Sequence, residues 1–337
     1  MATGANASVL YGFELTSAGA VNFGAGADEV NKEFGYGLEF SLDTDRSMNF
    51  RYGPGSRNWQ AAKAGKFAGT WKADFDLCDP WVLEAVIGLH GSITGSSGSY
   101  AATFSESDNP STLEIDVCQA VVPGTTYALR KLYGCVVKTA SFGWEGGSDT
   151  PIRMSLDGEY SNEALSAPVS FTAQTLPDQA APLTFANCTL ATSANGTDYT
   201  TITNVDKCDI KIDNGTELRW SGGSDKASRV KYGERKYELS VSHLLTSTAT
   251  FLEKLFGASG GPTASNPTAI AYLKVTLSAE TSATMSWVFT NVIIGKHSNE
   301  GITGPADELI ESVELTAQSC SVVLAGWDNT EPARYSA

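Results

Sequence analysis

Apolar and polar residues alternate along most of this 337-residue chain, the period-two pattern of strands with one buried face and one solvated face. Leu38, Phe40 and Leu42 share a face in this way, as do Leu113, Ile115 and Val117. Leu273, Val275 and Leu277 follow suit, and so do Val313, Leu315 and Ala317. Ile210 to Ile212, Asp213-Asn214-Gly215 and Leu218 to Trp220 predict a strand, a turn and a second strand. Helical periodicity is scarce. Asp79 can cap a short helix with Pro80 at its first position, running through Trp81, Val82, Leu83, Val86 and Ile87 and stopping at Gly88. A second helix is predicted over Thr250 to Phe256, stopped by Gly257.

The two helices expose a duplication. VLEAVIG at 82–88 matches FLEKLFG at 251–257. A strand-like segment precedes each (Phe67 to Leu77; Tyr237 to Leu245), and before that comes a stretch rich in Gly and Arg/Lys. A small-residue loop follows each, at 91–98 and 257–262. Then Thr112 to Val117 answers Tyr272 to Leu277, and Leu132 to Val137 answers Phe289 to Ile294. Each ends in a Gly-rich loop and a last alternating strand, Ile152 to Tyr160 or Leu309 to Ala317. Four matches in one order predict two copies of a β-rich domain, joined near Ser166 to Pro182. The expected boundaries are 1–33 for an N-terminal arm, 34–170 for copy 1 and 171–337 for copy 2. The arm is rich in Gly and Ala and reads as too loose for a core, ordering on assembly.

Composition adds a charge pattern. The net charge is -15 with 42% hydrophobic residues and seven Trp, which excludes disorder and a chain coated with phosphate-binding side chains. Yet 12 of the 23 Lys/Arg fall in the two matching basic stretches. Arg46, Arg51, Arg57, Lys63, Lys66 and Lys72 occupy the first, which holds no acid; Arg219, Lys226, Arg229, Lys231, Arg235 and Lys236 occupy the second. The six cysteines (Cys78, Cys118, Cys135, Cys188, Cys208, Cys320) never form a CxxC pair and read as buried thiols of a reducing compartment. The sequons at Asn6, Asn187, Asn195 and Asn214 then carry no glycan, and two of them hold an Asn-Gly turn signal. The first basic residue is Lys32 and no apolar run is long enough to span a bilayer, so neither a leader nor a membrane segment is expected.

The order of elements, with DPWVLEAVIG and TATFLEKLFG after a strand and a basic loop, resembles the tail tube proteins of long-tailed (siphovirus-type) bacteriophages or related archaeal viruses. The endings LYGCVVKTASFGWEGGSDTPIRMSLDGEY and FTNVIIGKHSNEGITGPADELIESVELTAQS carry the same resemblance, as does PLTFANCTLATSANGTDYTTITNVDKCDIKIDNG at the entry to copy 2. The resemblance implies a mainly β fold of two tandem β-sandwich/barrel domains, each with one short flanking helix. It implies sheets joined between neighbours around a lumen and three two-domain chains per pseudo-six-fold ring. Rings would stack through a long loop and terminal arms. Implied partners are further copies of the chain, a tape measure protein and tail terminator and tip proteins, with DNA passing through unbound. The protein would be made in the host cytoplasm and end in the virion tail. No extra immunoglobulin-like module is expected after the last strand, which would leave little for exterior decoration. Each basic stretch is then expected to dock on an acidic face of the adjacent ring, and the lumen to be mainly acidic, because Lys and Arg would hold the phosphates of passing DNA.

Enzyme chemistry finds little support. His90, His243 and His297 lie far apart without metal-ligand spacing. Gly257 to Gly261 is not a nucleophile elbow, and Walker and dinucleotide glycine patterns are absent. Asp74 and Asp76 read as a strand's solvent face, though a β-sandwich glycosidase could hold two remote carboxylates. No cofactor or metal is expected. The alternative of another class is a soluble β-sandwich binding module for carbohydrate or capsid decoration, with Trp59, Trp71, Trp81, Trp144 and Trp220 as a sugar platform.

Overall fold

The computed structural model describes residues 7–15, 20–27, 30–96, 99–122, 126–148, 150–166, 183–244, 250–257, 267–279, 283–300 and 309–327. The first half contains β1 (Ala7–Phe13), β2 (Lys32–Glu33), β3 (Tyr36–Tyr52), β4 (Trp59–Asp76), α1 (Leu83–Val86), β5 (Tyr100–Ser105), β6 (Leu113–Val122), β7 (Thr126–Glu145), β8 (Arg153–Tyr160) and β9 (Asn162–Ser166). The second contains β10 (Cys188–Ser193), β11 (Thr200–Ile202), β12 (Val205–Asp213), β13 (Glu217–Trp220), β14 (Ala227–Lys231) and β15 (Lys236–Leu244). It continues with α2 (Thr250–Phe256), β16 (Ile270–Ser278), β17 (Thr284–Glu300), β18 (Ile310–Ala317) and β19 (Ser319–Trp327). The alternating segments became strands because each buries one row of side chains, as in β8, where Met154, Leu156 and Tyr160 face inward.

Eight strands line up antiparallel in the order β3-β4-β8-β7-β12-β15-β18-β17. Behind them β2-β1-β6-β7-β9 and β11-β10-β16-β17-β19-β5 form further ladders. The core fills the space between: Phe75, Ile210 and Val241 of the eight-stranded sheet share one hydrophobic cluster with Tyr11, Ile115, Val275 and Trp287 of the others.

The long strands β7 and β17 belong to both layers. β7 pairs with β6 and β9 up to Cys135 and with β8 and β12 beyond it. β17 pairs with β16 and β19 up to Val292 and with β18 from Ile293. Each changes layer at a residue in the left-handed region, Gly134 (φ 61) and Asn291 (φ 48), conformations that Gly and Asn tolerate best. Each then carries a bulge four residues later, at Lys138 and Gly295.

Several sequence expectations change. Residues 7–13 are not a loose arm. β1 pairs along its whole length with β6, and Leu10, Tyr11 and Phe13 are buried. The first helix shrinks to Leu83–Val86; Asp79 Oδ1 accepts the Trp81 N–H at 3.0 Å, and its other oxygen meets Lys32 Nζ at 3.1 Å, both ions buried. The second helix matches its predicted span, with Gly257 at φ 73. The 213–215 turn does not join a hairpin, since β12 pairs with β15 and β7 whereas β13 pairs with β14. Gly215 (φ 56) bends the chain there, and an added Cβ would lie 2.7 Å from Glu234 O. All six cysteines are free and all but Cys188 are buried; burial pushes the Cys78 and Cys188 thiols up to about 12. The expected joint lies outside the described residues beyond Ser166, as does most of the loop after Gly257.

Across β4–β8 the buried Phe75 faces Met154, with Ala140 buried on β7. Across β15–β18 His243 faces Glu311, with His297 beside them on β17. His243 Nε2 lies 2.7 Å from one oxygen of the buried Glu311, and His297 Nε2 hydrogen-bonds the other. Hydrogen bonding to the Glu311 carboxylate raises the His243 pKa against its desolvation. Burial pushes Glu311 upward, but the two histidines outweigh it and hold it below the usual range. The His243 contribution is therefore complete below about pH 6.5 and lost as pH rises through its elevated value. The Glu311 contribution is present above about pH 4.3 and lost as pH falls through its depressed value. Thermal melts should show the largest stability difference between wild type and H243F/E311M/H297A at about pH 5–6. A difference independent of pH would refute this account.

Candidate functional site

The eight-stranded sheet has a polar face opposite its core face. Between Arg153, Lys211, Glu238, Ser240 and Glu314 this face is concave, with an open depression of about 690 Å³ spanning β8, β7, β12, β15 and β18. Most of its basic side chains are matched by acids, Lys236 of β15 being the exception among the described residues. Lys72 lies 3.1 Å from Asp74, Lys207 3.4 Å from Asp209, Lys211 3.8 Å from Glu238 and Lys296 2.8 Å from Glu314. Lys138 lies 3.6 Å from Glu159, and Arg153 reaches both Glu39 (3.3 Å) and Asp76 (3.6 Å). Hydrogen bonding to Asp74 raises the Lys72 pKa, and hydrogen bonding to Glu314 raises that of Lys296. Such exposed pairs add little stability; their consequence is that few cations on this face are left for an outside anion.

The sheet is open at both ends. Among the described residues, β3 has a partner only on its β4 side, and the 293–300 part of β17 only on its β18 side. Unpaired edges of this length are sites for pairing with another chain.

Beyond the sheet, β3 and β4 continue as a long two-stranded hairpin. Its ladder pairs Asn49 with Lys63, Phe50 with Ala62 and Arg51 with Ala61, then Tyr52 with Trp59 after a bulge. Phe50, Tyr52 and Trp59 therefore share one face, all exposed, while Arg51 and Lys63 lie on the other. The β13–β14 hairpin has the same ladder: Glu217 with Lys231, Leu218 with Val230, Arg219 with Arg229, then Trp220 with Ala227 after a bulge. It folds back over the first half, where Leu218 and Ala227 bury Val136.

The sequence-predicted basic residues separate accordingly. Arg51, Arg57 and Lys63 are exposed on the long hairpin, and Lys226, Arg229 and Lys231 stand on or beside the short one. Arg46 is held 2.6 Å from Asp225, and Lys66 lies 4.6 Å above the Trp220 ring, so both tie the two hairpins together. Arg219 pairs with Glu217 at 2.7 Å. Lys72 and Lys236 lie in the sheet itself. Arg235 turns inward and donates to the carbonyls of Ile87 and Ser107, both at 3.1 Å. Charge counting missed this division because it does not register which face of a strand a residue occupies. It also passed over Asp43, Asp45, Ile293 and Lys296 on the open edges; the matching ladders are the signal that picks them out.

The tryptophans form no common platform. Trp71, Trp81 and Trp144 are buried, Trp220 is half-buried with its Nε1 donating to Phe67 O at 3.1 Å, and Trp59 alone of the five is exposed. Among the described residues no cluster of three or more potential metal ligands occurs, and no helix is long and apolar enough to cross a membrane.

The sequence model of a family described as phage tail tube protein matches residues 4–317. No curated protein matches the chain.

Proposed function

Because the chain belongs to the phage tail tube protein family, and is thus a non-enzymatic structural subunit that polymerises into the tube of the virion tail, we propose how its parts build the ring and the stack. The two halves are copies of one tube domain. The support is a pairing scheme that occurs twice: β1–β6, β6–β7, β7–β8, β7–β9, β3–β4 and β4–β8 correspond to β10–β16, β16–β17, β17–β18, β17–β19, β12–β15 and β15–β18. Copy 2 keeps the expected span 171–337. Copy 1 ends at 170 but begins with β1 rather than at residue 34, since β1 stands to β6 as β10 stands to β16. Three chains then make a ring of pseudo-six-fold symmetry in the tail of a siphovirus-type phage or related archaeal virus. The tube would be filled by a tape measure protein and ended by terminator and tip proteins.

The observation that carries this reading is the single eight-stranded sheet with open ends and a concave polar face. Closing the ends of such sheets on one another satisfies the edge backbone and turns the concave face toward the axis. The lumen would then carry the paired charges described above. DNA presents one charge per ~1.7 Å of axis, so a wall whose cations are mostly matched already lets it pass. The exposed basic side chains Arg51, Arg57 and Lys63 are left to dock on an acidic face of the adjacent ring.

Negative-stain electron microscopy of the purified chain is expected to show hollow rings or tubes; discrete small particles at all concentrations would count against it. Replacing Arg51, Arg57 and Lys63 together by Gln should leave the melting curve unchanged while raising the concentration needed for elongation roughly tenfold or more, at about 1.4 kcal/mol per factor of ten. Unaltered elongation would remove the hairpin from the stacking contact.

A further inference from the structure

We infer that the junction between the two halves of one chain is built again between chains: the outer edge of β17 pairs antiparallel with the outer edge of β3 of a second copy, in the register of the β7–β12 pair. The inference rests on the duplicated-domain reading and adds the partner strand, the register and the contacts.

Two independent counts align the copies. Measured from their bulges at Lys138 and Gly295, Thr139, Ala140 and Ser141 of β7 correspond to Lys296, His297 and Ser298 of β17. Measured along the hairpins, Phe50 pairs with Ala62 as Leu218 pairs with Val230. Counting back along each strand, Asp43 and Asp45 correspond to Lys211 and Asp213. The sheet gives the same answer, since Ser41 faces Lys72 as Asp209 faces Ser240. Within the chain, Thr139 lies opposite Asp213 and Ser141 opposite Lys211. Between chains this places Lys296 opposite Asp45 and Ser298 opposite Asp43. The first is a pair of opposite charges, favourable across a ladder.

An apolar contact is completed by the same step. Val136 is 2% exposed beneath Leu218 and Ala227. Its counterpart Ile293 is 46% exposed, and the counterparts of Leu218 and Ala227 are Phe50 and Trp59, 46% and 55% exposed. Each side of this contact lies bare in the single chain, and a second copy in the stated register brings the two together. Seating Phe50 and Trp59 on a neighbour leaves Arg51 and Lys63, on the hairpin's other face, turned outward.

The register is tested by disulfide trapping in the full chain. Residues directly opposite have Cβ atoms about 4.5–5.5 Å apart, near disulfide range. Oxidised D43C/S298C should run as covalent multimers on a non-reducing gel, whereas D43C and S298C alone stay monomeric. E39C/S298C, four residues or about 13 Å out of register, should also stay monomeric. Rings without D43C/S298C linkage, or linkage of E39C/S298C, overturn the register while leaving the ring reading intact. Absence of rings and tubes from the wild-type protein overturns the ring reading and this inference with it. Ile293→Glu, at a solvent-facing position, should keep the wild-type melt and lose the rings; rings at wild-type yield would overturn the apolar contact.

Discussion

Truncation of the chain before residue 16 is expected to abolish the folded monomer as well as its polymerisation. β1 fills an interior place: it pairs with β6 over seven residues from Ala7↔Gln119 to Phe13↔Leu113, and with β2 on its other side. Val9, Leu10, Tyr11, Phe13 and Leu15 are all buried. At about 1.5–3 kcal/mol for each large apolar side chain buried, their loss approaches the whole 5–15 kcal/mol by which a domain is typically stable. It also bares the inner edge of β6. Circular dichroism and limited proteolysis should show a truncated chain without a cooperative melt. A truncated chain that melts cooperatively but forms no tubes would instead restore the reading of residues 1–33 as an assembly arm.

Glu14→Ala should cost about 1–3 kcal/mol or more, the range for leaving buried hydrogen-bond donors without their acceptor. The Glu14 carboxylate is fully buried and accepts four hydrogen bonds: from Thr112 Oγ1 at 2.7 Å, Gly24 N and Gly134 N at 2.9 Å, and Gly26 N at 3.2 Å. Burial lifts its pKa even against those four donors. Gly24 and Gly26 adopt φ of 72 and 89 to present their N–H groups, and Gly134 is the residue at which β7 changes layer. One carboxylate therefore fastens the 20–27 segment and the bend of β7 together. Alanine leaves these donors buried and unpaired. Glu14→Gln, which keeps one accepting oxygen, should lose less. Urea unfolding distinguishes the series, and a loss below about 1 kcal/mol for Glu14→Ala would show that water takes over the donors.

Periodicity made the strands legible. Leu38 to Leu42, Leu113 to Val117 and Val313 to Ala317 all lie in strands as their alternation predicts, because a half-buried strand writes its geometry directly into every second residue. The helix over 250–256 was readable from its glycine stop. Glu14 was not, since a carboxylate two residues from Gly12 in an alternating segment has the look of a solvent-facing residue; only the distant Thr112 and Gly134 explain its burial. The β7–β12 junction was equally hidden, as register between remote strands is set by packing that no local pattern records. The basic stretches were visible as charge. Their division into an exposed hairpin, a paired sheet face and the inward-turned Arg235 depends on strand parity and on the bend at Gly215, which redirects the second hairpin.

The bends at Gly134 and Asn291 have a mechanical consequence. In the proposed ring, a load that widens the bore acts as hoop tension across the inner ladder, along its hydrogen bonds. β7 and β17 do not end in that ladder. Each turns over and continues as a member of the outer one, so tension reaching it is shared between two sets of hydrogen bonds joined by covalent backbone. The wall is a laminate whose plies are stitched once per repeat, and peeling the inner ply from the outer would mean pulling on peptide bonds.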